Sequence, residues 1–501
     1  MADIAPARSE PPLILAVDIG SSAVRGLVFD RLGRGLNGLK VHLPYQLQTT
    51  ADGGVEVEAE VIVRLVTRAI DRILYRAGRR RVDFGGVALS TFWHSVLGVG
   101  ADGRAVTPVL SWADTRSAHA AKALRQALDE QAVHARTGCR LHSSYVPPKL
   151  LWLSQTQPAR FRKAAHWMSI GEYLHWRFLG HATVSVSMAS ASGLLDLRRC
   201  VWDGEMLATL PIRAEQLSPI DEAPARGLSK TMAQRWPVLK ELPWFPAWGD
   251  GACSNIGSGC FSPERVALSV GTSGAMRVVW EGEPMKALPG LWCYRVDRRR
   301  LIMGGALSNA GNLYAWLCRM LRVGGEAAVE RAVARMGADN HGLTLLPFLS
   351  GERSPGWAST ARGAIVGLTV STTPLDLVRA GLEAVGYRFL AIDTLLRQAF
   401  PQIQEVVASG GGLLHSPAWT QLMADVLGHP VITSREPEAS SRGAALLAFE
   451  ALGLLRPEEI RTSLGKLYHP RRGARERHRE AFRRQTALYE TLTPWWEGAG
   501  P

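Results

Sequence analysis

Gly249-Asp250-Gly251 sets one carboxylate between two residues without side chains, just ahead of a small-residue run, Ala252 to Asn255, that reads as the start of a helix. A carboxylate approachable by ligand in that setting can take a proton from a hydroxyl, and the helix N-terminus behind it favours negative charge. The same three residues also read as an Asp-Gly turn or a helix N-cap. Two other segments share one plan of apolar strand, hydroxyl-rich turn and apolar strand. They are Leu15 to Phe29, with Gly20, Ser21 and Ser22 at its tip, and Ala267 to Trp280, with Gly271, Thr272 and Ser273. Backbone N–H groups and hydroxyls at such a tip bind phosphate without a side-chain charge. A single tip is an ordinary tight turn, whereas two, one in each half of the chain, can hold a polyphosphate from both sides. Asp18, at the end of the first strand, is placed to hold Mg²⁺ through water or to cap the turn. Arg25 and Arg277 either reach phosphate oxygens or point to solvent, and solvent is the expectation for Arg277.

A third Gly-rich element, Ser409-Gly410-Gly411-Gly412, follows a strand and precedes the helical stretch Pro417 to Leu427, which suits close approach by a nucleotide and equally an ordinary loop. Trp93 and His94 follow the strand Gly86 to Ser90, where an imidazole beside an aromatic ring can bond a hydroxyl or carboxylate of a ligand, although a lone His is more often structural. Trp112 and Asp114 offer an indole wall and an acceptor to a polyol, whose buried hydroxyls each need a partner. The competing reading is a core Trp beside a surface Asp114–Arg116 pair.

The elements that carry these residues are strands alternating with helical stretches, among them Val61 to Tyr75, Ser117 to Ala135 and Leu377 to Phe400, which predicts layered α/β architecture in both halves. A chain of 501 residues exceeds one ordinary core, so two domains are expected. The boundaries predicted are a disordered 1–12, a first domain over 13–258, a second over 259–465 and a basic helical tail over 466–501. The formal charge of +13 invites a nucleic-acid reading. Pro470 to Arg484, however, holds seven Arg against two Glu in the alternation of a solvated helix, which argues against nucleic acid as a partner. Six scattered cysteines without a CxxC pair are expected to be free thiols. No secretory leader or membrane-spanning run is read, and a cytoplasmic protein is expected.

Several of these segments, in this order, resemble the FGGY carbohydrate kinases. Asp18 to Arg25 is similar to that family's first phosphate loop, and Gly271 to Arg277 to its second. Ser144 to Leu153, and Gly363 to Leu368 with Asp376 to Glu383, are close to its two signatures, and Ser409 to Asp425 resembles its adenosine segment. The resemblance implies two ribonuclease-H-like domains of the actin and hexokinase superfamily facing a cleft, with ATP and Mg²⁺ as cofactors and Asp250 as both catalytic base and sugar contact. The partners it implies are ATP and a small sugar or sugar acid, with a homodimer as a possible assembly. Gly271 to Arg277, Gly351 to Trp357 and Ala189 to Leu195 look most like the gluconokinase branch. Xylulokinase or another ketose or polyol kinase is the alternative, followed by a non-catalytic ATP- or nucleic-acid-binding protein.

Overall fold

The computed structural model describes residues 4–78 and 82–498. Leu13–Ile19 (β1) is an apolar run buried at every residue, and Ala23–Phe29 (β2) returns antiparallel beside it, setting Arg25 directly opposite Asp18. Gly35–Pro44 (β3) alternates inward and outward side chains, as an outer strand with one covered face does. The amphipathic helix Ala59–Gly78 (α1) then crosses the sheet and seals one face with Ile62, Val66, Ile70 and Ile73. Burying each such side chain contributes roughly 1.5–3 kcal/mol. Phe84–Thr91 (β4) runs parallel to β1 on its other side, and Trp248–Gly249 (β5) runs parallel to β4, giving the order β5-β4-β1-β2-β3.

The second half repeats this plan. Arg265–Val270 (β6) and Gly274–Glu281 (β7) form the second hairpin, followed by Trp292–Arg295 (β8), Arg300–Leu307 (β9), Glu405–Ser409 (β10), Val431–Ser434 (β11) and Leu464–Tyr468 (β12). Their order is β8-β9-β7-β6-β10-β11-β12. The five strands β9-β7-β6-β10-β11 match β3-β2-β1-β4-β5 in order and direction. The duplicated hairpin in the sequence is therefore the visible part of a duplicated ribonuclease-H-like sheet.

The first and last of three helices join the halves. Asp250–Gly257 (α2) leaves β5, Pro374–Ala399 (α3) packs beside β7 and β9, and Ala439–Ala451 (α4), from the second half, lies across α2 and against β1 and β4. Gly257 and Gly443 permit that crossing, because a Cβ on either would overlap the other helix's backbone. Arg442 fastens it by donating from Nη1 to the Gly257 carbonyl at 2.6 Å and from Nε to the Gly33 carbonyl at 3.0 Å.

Several expected boundaries need correction. Residues 4–12 are ordered: Ile4 lies beside Leu36, with Ile4 N donating to Gly35 O and Asn37 N to Ile4 O at 2.8 Å each, while residues 1–3 lie outside the described ones. The stretch from Ser117 to Ala135 is two helices, Ala118–Ala127 and Glu130–Thr137, because Asp129 caps the second through its own carboxylate. The segment after 465 is no appended tail. β12 is the outer strand of the second sheet, and the terminal helix Ala474–Gly498 (α5) buries His478, Gln485 and Trp496. Arg475, Arg477, Arg479 and Arg483 are exposed on the first half of the helix. All six cysteines are free, as expected, and no helix among the described residues is long and apolar enough to cross a membrane.

Candidate active site

The two hydroxyl-rich tips face one space. Ser21 and Ser22, between β1 and β2, and Thr272, between β6 and β7, line the same cavity of about 270 Å³ together with Ser144, Ser308 and Asn312. Each tip is held by its own backbone: Gly20 N donates to Ala23 O at 3.0 Å, and Gly271 N to Ser273 O at 2.9 Å. The Gly311 and Asn312 amides donate to the Gly271 and Thr272 carbonyls, each at 3.0 Å, and so fix the second tip to the start of a helix. Gly410, Gly411 and Gly412 follow β10, which runs parallel to β6, so this turn leaves the same edge of the sheet as Gly271.

Trp112 and Ser144 also line an adjoining cleft that contains Asp250, Trp93, His94, Ser273 and Arg277. Asp250 opens α2, and the Gly251 amide donates to its Oδ1 at 2.8 Å. Burial pushes the Asp250 carboxyl up to about 6, with Arg277 opposing the rise and the charge of Asp18 adding to it. Both neighbouring glycines are required by one side chain, because the Trp93 indole lies where a Cβ on Gly249 or Gly251 would project. Trp93 Nε1 donates to the Ser187 carbonyl at 3.2 Å, and the ring stands edge-on to Trp292 and Tyr294. His94 holds a left-handed φ of 64°, and its Nδ1 lies 2.6 Å from the Ala191 carbonyl oxygen. A carbonyl accepts only from a protonated nitrogen, and burial keeps His94 well below its usual range, so the neutral ring leaves Nε2 as an acceptor.

Asp18 accepts from Ser90 Oγ at 2.9 Å and pairs with Arg25 at 3.1 Å, while burial pushes its carboxyl up. Arg25 is shared with Glu438 at 3.6 Å. The expectation for Asp114 fails. Its carboxylate is claimed by Arg116, which folds back two residues to bond it at 2.6 Å, and by the Val55 amide at 3.2 Å, and it does not line the cleft. The expectation for Arg277 also fails, since it faces the cleft beside Asp250 instead of solvent.

The sequence reading missed the far wall of the cleft. Arg353 stacks its guanidinium 4.3 Å above the Trp112 ring and donates from Nη2 to the Leu307 carbonyl at 3.0 Å. Tyr145 and Tyr294 meet through their hydroxyls at 2.6 Å, and Trp292 and Trp357 complete the aromatic lining. Arg277 and Arg353 each keep a buried Nε without a hydrogen-bond partner, and among the described residues neither is ion-paired to a carboxylate. Burial pushes Arg353 down to about 10. The signal for this wall lay in Gly351 to Trp357, a motif whose direction only the docked second domain reveals.

Residues 13–257 match the N-terminal domain of the FGGY family of carbohydrate kinases, and residues 266–452 match its C-terminal domain. The chain belongs to this family. It is a sugar kinase, a phosphotransferase whose family uses ATP as co-substrate. It is 26% identical to a gluconokinase of Bacillus subtilis (strain 168) over 453 residues, 88% of each chain. Among solved structures, a gluconate kinase from Lactobacillus acidophilus is similar with a TM-score of 0.85 at 27% identity, covering 96% of this chain and 98% of that one. A ligand-bound xylulose kinase from the same organism is similar with the same values.

Proposed function

We propose that this sugar kinase transfers the γ-phosphoryl group of ATP to a carboxylated polyol, with gluconate as acceptor and 6-phosphogluconate as product. The observation that supports this reading is the charge of the cleft: two guanidiniums, the half-buried Arg277 and the buried Arg353, line it with a single carboxylate, Asp250. A sugar acid adds negative charge to that wall and acceptors for the unpartnered N–H groups, which a neutral sugar does not.

In this mechanism Asp250 accepts the proton of the attacking hydroxyl as its oxygen bonds to the γ-phosphorus and the bridging bond to ADP breaks. Its raised proton affinity suits it to that transfer while leaving it largely ionised near pH 7. His94 accepts from a substrate hydroxyl through Nε2, and Trp93 and Trp112 pack on the carbon chain. Backbone and hydroxyl groups of Gly20, Ser21, Ser22, Gly271, Thr272 and Ser273 hold the phosphates, and Gly410, Gly411 and Gly412 admit the nucleotide. Arg25 orients Asp18. A buried carboxylate whose charge also burdens Asp250 fits a divalent cation, so Asp18 would hold Mg²⁺ through water. When bound, that ion supplies charge neutralisation on the phosphates.

A ketose such as xylulose is the second reading, favoured by the equal likeness to the xylulose kinase structure. A coupled ADP-release assay across gluconate, xylulose, ribulose and glycerol separates the two. Gluconate is expected to give the highest kcat/KM, and turnover of a ketose without turnover of gluconate overturns the proposal.

A further inference from the structure

The helix α1 turns its apolar stripe toward the first sheet, and its outward face is basic. The exposed residues of α1 are Arg64, Arg68, Arg72, Tyr75, Arg76 and Gly78. The four arginines recur at every fourth position, so they stand in one row, about 6 Å apart along the helix and about 18 Å from first to last. Neither carboxylate of α1 offsets them. Glu60 accepts from the Tyr173 hydroxyl at 2.9 Å and pairs with Arg177, while Asp71 accepts from Arg235 at 2.6 Å and from Trp236 Nε1 at 2.8 Å. Among the described residues Arg64, Arg68 and Arg72 make no hydrogen bond or ion pair, and Arg76 donates only to the Lys40 carbonyl, at 2.6 Å.

Like charges four residues apart weaken a helix, and here three such pairs follow one another. A basic helix that meets only solvent relieves this with interspersed acids, as α5 does where Glu476 and Glu480 stand among Arg475, Arg477, Arg479 and Arg483. The alternation that argues against nucleic acid at Pro470 to Arg484 is absent from the outward face of α1.

We propose that this row is a binding site for a single-stranded nucleic acid, whose phosphodiesters pair with Arg64, Arg68, Arg72 and Arg76 while a base stacks on Tyr75. A guanidinium presents a planar fork of donors that matches a phosphate, and three of the four are open to receive one without breaking a contact they already make. Tyr75 is 68% exposed and stands three residues after Arg72 and one before Arg76, so an aromatic face lies beside the cations. Cations along the backbone with a ring for the bases are the means by which a strand is held without regard to its sequence. A lipid surface is the less suited polyanion, because the apolar face of α1 is buried on the sheet and its exposed row holds no aliphatic side chain to enter the acyl boundary. None of the four arginines lines either cavity of the active site, so a bound strand leaves phosphoryl transfer open.

Fluorescence anisotropy with labelled oligo(dT) and oligo(U) of about 20 nucleotides, titrated with the full chain between about 50 and 200 mM NaCl, tests the site. Both strands are expected to bind, since neither kind of contact reads the sugar. Affinity is expected to fall by about three decades per decade of salt, the slope of four phosphate contacts on a single strand. Arg68→Gln combined with Arg72→Gln is expected to weaken binding at least about tenfold and to halve that slope, with the kinase rate and melting temperature of the parent. Arg479→Gln combined with Arg483→Gln, an equal loss of charge on α5, is expected to change affinity less than about twofold. Tyr75→Ala is expected to weaken binding at least about fivefold at an unchanged slope. Vesicles of equimolar phosphatidylglycerol and phosphatidylcholine are expected to bind the chain less tightly than either strand. Failure of either strand to bind at about 50 mM NaCl, equal losses from the two double variants, an unaltered affinity in Tyr75→Ala, or tighter capture by the vesicles overturns the proposal.

Discussion

The Lys149 ammonium donates to the Ser111 carbonyl oxygen at 2.7 Å, and the same nitrogen donates at 2.8 Å to the carbonyls of His94 and Ser144. Lys149 is buried, and its three acceptors lie on the three first-domain segments that present His94, Trp112 and Tyr145 to the cleft. One cation thus sets the relative position of the acceptor-binding walls and holds the carbonyl of a residue in left-handed backbone, where a side chain other than glycine is disfavoured. Lys149 is a positioning residue, since it does not itself line the cleft.

Replacing that cation isolates its role. Lys149→Met, similar in length, removes all three donors and is expected to cost roughly 3 kcal/mol of stability and to lower kcat/KM about 100-fold, mostly through KM for the acceptor. Burial pushes the Lys149 ammonium down to about 7, with Asp114 opposing. A neutral amine has two N–H groups for three carbonyls, so activity is expected to decline above pH 7 in the parent and to lack that limb in Lys149→Met. Stability moves the other way. The unfolded chain keeps the proton up to about 10.5 while the native state releases it near 7, so this group's contribution to stability rises between those values. Initial rates and urea midpoints from pH 6 to 10 check both signs, and an unchanged alkaline limb in Lys149→Met would refute the assignment.

The acid limb belongs to Asp250. With its carboxyl raised to about 6, kcat/KM is expected to fall tenfold per unit below that pH, because only the ionised form accepts the hydroxyl proton. Asp250→Asn is expected to lose about 10²–10⁴ in kcat while ATP still protects the chain from heat. An Asn variant that retains a tenth of the parent rate would remove Asp250 from the chemistry.

Arg277 and Arg353 are expected to separate in the same assay. Arg277 holds the Asp250 proton affinity down, so Arg277→Met is expected to move the acid limb above pH 6. Arg353→Met is expected to move that limb less than Arg277→Met does and to raise KM for gluconate about 10–100-fold, the loss of a charged hydrogen bond, while changing KM for xylulose less than about threefold. Equal losses on both acceptors would mean that Arg353 only supports Trp112.

What the sequence disclosed and what it withheld divide along one physical line. The hairpins, the Gly-Asp-Gly turn and the helices around them were legible because strand period, turn chemistry and helix starts are local. Trp93 between Gly249 and Gly251 was not, since two segments more than 150 residues apart meet there. Asp114 was misread because the competitor for its carboxylate, Arg116, stands only two residues away and nothing in the spacing says whether it folds back or reaches ligand. Arg277 was misread for the opposite reason. A strand residue beside a turn faces solvent until the first domain closes over it. In α5 the alternation of Arg and Glu was plain, but His478, Gln485 and Trp496 mark a buried stripe that the charge concealed.

That stripe ends in the most deeply buried ionic cluster of the second domain. Glu383 on α3 accepts from Arg379 Nε at 2.7 Å, from the Tyr387 hydroxyl at 3.0 Å and from the Asp339 amide at 3.3 Å, with His341 Nε2 at 3.2 Å. The Tyr387 hydroxyl also meets His478 Nδ1 at 3.0 Å, and Arg484 bonds Asp339 at 2.7 Å, so the cluster clasps α5 to the domain. Burial pushes the Glu383 carboxyl up, but the His341 hydrogen bond and the Arg379 charge outweigh it and hold the group down at about 2. A carboxyl depressed in the native state from its usual 4.5 stabilises the fold fully above 4.5 and loses that contribution as pH falls toward 2. Glu383→Gln is expected to lower stability at pH 7 by roughly 3 kcal/mol, the cost of leaving Arg379 buried without its partner, and to flatten the decline between pH 4.5 and 2. Urea midpoints across that window measure the slope, and hydrogen exchange over residues 474–498 reports whether α5 loosens first. A Gln variant with the parent's acid slope would place the titration elsewhere and leave Glu383 without the role assigned to it.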